Sequence, residues 1–227
     1  MIIKLFKAFF FSLLVSFGVQ GQTELLRAKA IEFSYREQWD SAVSCYDRMD
    51  ILFSSYYFDR GMCKHLNADF NASIIDFRRH TELHSNEADG WLMLAESALY
   101  VSDFKLAQKA GKKFDRMEPN NSMANLIIGC AFYYNDKKQK SIKYFERALL
   151  YDSTNPWAQV YYVALGLNKY PSIVQKKLTI PDCLIPGFSK RIDIDSNLIL
   201  HPSNTYEVQV FRWHCDRLGT KENERDE

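Results

Sequence analysis

The sequence predicts an all-α protein, a row of stacked helix-turn-helix pairs, on three observations. Small and aromatic residues recur with a 34-residue period, helix-breaking residues fall at fixed places within each period, and bulky rings are abundant. The pattern is clearest in residues 88–121. There Trp91, Leu94, Ala95 and Ala98 mark a first helix and Ala107, Gly111 and Phe114 a second, and Pro119 closes the unit because proline cannot continue a helix. With 13 Tyr, 16 Phe and 4 Trp the chain is 15% aromatic, and such rings interlock paired helices.

Residues 1–22 stand apart from the repeats. Lys4 and Lys7 precede an apolar run over residues 8–19, and Val19, Gln20 and Gly21 then offer a cleavage site before Gln22. This is the layout of a secretory signal peptide, and the run is shorter than the roughly 20 residues a membrane-spanning helix needs. Losing both lysines leaves 27 basic residues against 28 acidic, so the mature net charge is −1. Nucleic acid is therefore not an expected partner, and no stable membrane insertion is expected after cleavage.

The repeat array is expected over residues 23–178. A first unit begins near Thr23, with Ala30, Phe33, Trp39, Ala42 and Tyr46 in register; it is three residues short, so its second helix must end near Asp50. Residues 54–87 form the next, with Tyr57, Gly61, Phe70, Ser73 and Phe77 at matching offsets and Asn67-Ala68-Asp69 as the turn. The third is 88–121. The fourth, 122–155, carries Gly129, Phe132, Phe145 and Ala148. Gly or Ala at the eighth position lets two helices approach closely, and rings at positions eleven and twenty-four fill the enclosed space. A single unit cannot bury its own apolar face, so about three are needed for stability.

Pro156 then opens a truncated fifth unit with only residues 172–178 left for its second helix. Residues 179–227 are expected to form an irregular arm, broken by Pro181, Pro186 and Gly187, and a capping helix over 205–218. Asn204 with Glu207 signals that helix's start, and Gly219 its end. Five cysteines in an exported chain leave at least one without an internal partner. Cys45, Cys63 and Cys130 fall in predicted helices and read as buried thiols, whereas Cys183 and Cys215, outside the repeats, are candidates for a disulfide.

The 34-residue pattern resembles the tetratricopeptide repeat, which runs W-x2-L-G-x2-Y, then A-x3-F, then P. In the central unit Ala95 stands for its glycine, Ala98 for its tyrosine and Gly111 for its phenylalanine. The resemblance covers residues 23–178 and implies a right-handed superhelix whose first helices line a concave groove. In such proteins partner segments contact positions two, five, nine and twelve. Carried over, these are Phe58, Met62 and His65; Leu92, Glu96 and Leu99; Met123, Leu126, Cys130 and Tyr133; and Trp157 with Val160. Relatives that grip a terminal carboxylate do so with lysines and asparagines, and no such set stands here.

The implied function is an exported scaffold that holds a hydrophobic or amphipathic segment of another protein in this groove, a second copy of the chain being an admissible partner. The alternative is a groove filled by the chain's own carboxyl-terminal arm. An enzyme, or an enzyme subunit, is disfavoured: no G-x-S-x-G, P-loop or G-x-G-x-x-G occurs, and no cofactor is expected. His80 and His84 share a helix face, but the order H-T-E-L-H lacks the glutamate that a zinc protease places directly after its first histidine, so no metal is expected.

Overall fold

The computed structural model describes residues 21–49 and 56–165, with two short strands beyond them. The helices are α1 (21–35), α2 (Trp39–Asp47), α3 (Tyr56–Leu66), α4 (Phe70–Leu83), α5 (Ala88–Tyr100), α6 (Phe104–Met117), α7 (Ser122–Tyr133), α8 (Lys138–Tyr151) and α9 (Pro156–Ala164). From α2 onward each packs on the next in chain order, and first helices of adjacent units also touch, α3 with α5, α5 with α7 and α7 with α9, while α1 shares a buried cluster with α2 and α3.

The period is written into the backbone. Glu37, Ala68, Ser102 and Asp136 hold positive φ of 56°, 60°, 67° and 55°, each in the turn between the two helices of its unit. Their spacings are 31, 34 and 34 residues, so the first unit is short by the three residues the sequence indicated. At each turn the same bond closes the first helix: the N–H groups of Gln38, Asp69, Asp103 and Lys137 donate to the carbonyls of Phe33, Lys64, Ala98 and Phe132. Asp69 and Asp103 then cap the second helices by accepting from Ala72 and Leu106 N–H.

Close helix approach arises as the residue types require. A Cβ on Gly61 would lie 2.8 Å from the Phe77 ring, and one on Gly129 would lie 2.6 Å from the Phe145 ring. These are the eighth and twenty-fourth positions of their units. In the central unit, where Gly111 replaces the second ring, Ile128 of the next unit fills the space, 2.8 Å from where a Gly111 Cβ would sit.

Two buried clusters result. A large one runs from Ile74 to Leu165, and a smaller one joins Leu26, Ala30, Ala42, Cys45, Tyr46, Met49, Tyr56 and Cys63 across α1–α3. Ions help tie the first two units together. Asp76, 1% exposed, accepts from Arg60 and from Lys64 at 2.8 Å, and Arg60 also reaches Asp47 at 2.7 Å.

The fifth unit has its first helix, α9, as expected; of the second, residues 172–177 lie outside the described residues, and its last residue, Leu178, is not helical: Leu178–Thr179 (β1) pairs in parallel with Leu198–Ile199 (β2). Leu178-Thr179-Ile180 and Leu198-Ile199-Leu200 are short runs of apolar and β-branched residues, which favour extended backbone, and Pro181 prevents helix continuation. The expected signal segment through residue 20, the rest of the expected arm, the expected 205–218 helix and the Cys183–Cys215 bridge lie outside the described residues. No helix among the described residues is long and apolar enough to cross a membrane.

Candidate functional site

A cleft of about 450 Å³ opens where α1 meets α3. The helix beside it, α2, has 9 residues, whereas α4, α6 and α8 each have 14. Arg27, Ile31, Ser34 and Tyr35 of α1 form one wall, Asp59, Met62, Cys63 and Leu66 of α3 the other, and Trp39 and Tyr46 of α2 complete the lining. Tyr46 and Cys63 are buried, whereas Ile31 is 42% and Tyr35 87% exposed.

The Ser34 hydroxyl donates to the Ala30 carbonyl at 2.8 Å and lies 3.3 Å from Cys63 Sγ. Burial pushes the Cys63 thiol above its ordinary range, with Ser34 opposing in part. Cys130 is pushed up further by complete burial. Both are therefore neutral thiols rather than nucleophilic thiolates. Asp59 is also raised by burial, against the pull of Arg27 and then His80. The site offers shape, apolar contact and one half-buried carboxylate. That is the chemistry of binding.

The groove residues expected from the sequence divide into two sets. Phe58, Met62, Leu92 and Trp157 are partly buried against the large cluster, Glu96 is partly buried and Met123 is 40% exposed. Leu99, Leu126, Cys130, Tyr133 and Val160 belong to that cluster, each at most 5% exposed, and His65 is equally buried. The second set is not free surface. Tyr133 packs edge-on to Tyr161 with centroids 5.6 Å apart, and His65 Nδ1 lies 2.8 Å from Ser97 Oγ, which accepts from Ser73. Glu96 lies 3.6 Å from His65 Nε2 and accepts from Tyr100 at 3.0 Å. An aspartate at position 133 would therefore test folding rather than binding.

The sequence reading missed the α1 wall, although its signal was available. Counting from Thr23, positions five, nine and twelve are Arg27, Ile31 and Ser34, the same offsets that selected Phe58, Met62 and His65 in the next unit. The shortened second helix was also legible. What was not legible is the cleft between α1 and α3.

No family model and no curated protein matches the sequence. Solved structures do match. MamA from Desulfovibrio magneticus RS-1 aligns at 15% identity with a TM-score of 0.60, over 64% of this chain and 84% of its own. YrrB, a TPR protein with an unusual peptide-binding site, aligns at 12% identity with a TM-score of 0.56, over 59% and 71%. MamA MSR-1 gives 15% identity and 0.54, over 63% and 87%. At these identities the likeness shows the fold alone: an all-α superhelix of stacked tetratricopeptide-like units.

Proposed function

We propose that the protein is an exported interaction scaffold that receives a segment of a partner protein on the concave face, entering at its amino-terminal end. One observation carries this reading. At the offsets where such arrays contact partners, this chain keeps an open cleft with apolar walls between α1 and α3. Phe58, Met62, Leu92, Met123 and Trp157 extend the accessible track along the later units, and Glu96 supplies a polar contact. Export rests on the basic start and short apolar run of residues 1–20.

The test of docking is a variant with Ile31 and Met62 both replaced by aspartate. It should keep its helical circular dichroism spectrum and lose partner binding. If it folds and binds as before, the cleft is not the site. Export is tested by sequencing the amino terminus of protein recovered from its own host: a start near Gln22 is expected, and an intact Met1 in the cytosolic fraction would contradict it.

A second reading, that the chain's own carboxyl-terminal segment covers part of the array, is favoured at the opposite end. Ala158, Gln159, Val160, Tyr161 and Tyr162 of α9 are all at most 5% exposed, and five consecutive residues span every face of a helix. α1, the other terminal helix, buries only Thr23, Leu26 and Ala30. The two readings are compatible, since they concern opposite ends.

A further inference from the structure

Among the described carboxylates that are substantially buried, Asp59 differs from its peers. Asp76 is held by Arg60 and Lys64. Asp115, 17% exposed, meets Arg147 at 3.3 Å and accepts from Asn125. Glu96, 13% exposed, faces His65 and accepts from Tyr100. Asp59 is half-buried and lines the cleft, yet among the described residues it accepts no hydrogen bond and has no cation within ion-pair distance. Within the chain only Arg27 and then His80 act on it, and at longer range than an ion pair, so a cation brought into the cleft would find this half-buried carboxylate still open to a direct partner.

The surroundings suit a particular cation. Tyr35, Trp39 and Tyr46 line the same cleft, and aromatic faces attract lysine and arginine. Ile31 and Met62 offer apolar walls for the aliphatic stem of such a side chain. Arg27 is the opposing charge, but it is exposed at the mouth, where water screens it, whereas Asp59 is half-buried and its field less screened.

We infer that the cleft takes a lysine or arginine side chain of the partner segment, flanked by an apolar residue, with Asp59 as its counter-charge and the aromatic lining as its sleeve. This rests on the reading that the cleft is where a partner segment docks, and it adds the chemistry of the residue that enters.

The test is a displayed library of random peptides panned against the full-length protein, followed by affinity measurement on the selected sequences. The inference expects enrichment of Lys or Arg beside an apolar residue. Asp59→Asn should weaken those peptides at least tenfold without loss of helicity, and replacing the basic residue by norleucine should weaken binding to the unaltered protein equally. The two changes together should cost little more than either alone, since both remove one interaction. Should the selected peptides lack a basic residue and bind Asp59→Asn unchanged, yet be lost with Met62→Asp, the inference is overturned and the docking site stands. Should no selected peptide be sensitive to Met62→Asp, both are overturned. The norleucine peptides keep the result decisive even if Asp59→Asn proves poorly folded.

Discussion

At Ala68 a Cβ sits on a backbone with φ of 60°, where glycine is ordinarily favoured, and Ser102 and Asp136 repeat the arrangement one and two units on. Removing that Cβ relieves the strain. Ala68→Gly is therefore expected to stabilise the protein by about 1 kcal/mol, read as a higher urea midpoint at unchanged slope. Asp136→Gly should gain less, because aspartate tolerates the left-handed region better. His65 gives the pH dependence at this scale. Burial lowers its pKa from the ordinary 6.5, with Glu96 opposing in part, and burial also lowers that of His80. Each folded-state histidine is thus harder to protonate than its unfolded counterpart. The stability this represents is intact above pH 6.5 and declines as pH falls from there toward the lowered values. Denaturation midpoints measured from pH 8 to 5 should show that decline, and His65→Gln should remove part of it while His80 retains the rest.

At the scale of elements, the contact between an eighth-position glycine and a twenty-fourth-position ring sets how closely paired helices approach. Phe145 cannot swing aside to admit a methyl group on Gly129, because it is fully buried and stacked on Tyr161 at 5.1 Å. Gly129→Ala should therefore destabilise by about 1–3 kcal/mol, despite alanine's better helix propensity. Calorimetry would reveal the effect, and a raised melting temperature would contradict the packing described. This contact explains why the helices were legible from the sequence: the same few residue types must recur wherever two helices meet, so the period and the pairing appear together. Leu178 was not legible in that way. Its preference for extended structure is expressed through pairing with Leu198, 20 residues away, and a local pattern carries no such information.

Across the whole molecule the two ends of the array differ. α1 leaves Leu25, Ile31 and Tyr35 exposed, whereas residues 158–162 of α9 are all buried. The tetratricopeptide-like offsets do not tell which of the residues they select remain accessible. Leu126 and Val160 occupy the same offset as Leu92, and Cys130 the same as Met62, yet all three are buried in the large cluster. Accessibility depends on how neighbouring units pack, and only the structure carries that. The central claim, that partners enter at the α1–α3 cleft, can be tested by placing a photoreactive amino acid at Tyr35 in the cleft, or at exposed Leu150 on α8, in protein expressed in its own host. The account predicts a discrete cross-linked partner from position 35, lost when Met62→Asp is added, and none from position 150. Cross-linking from position 150 alone would contradict it.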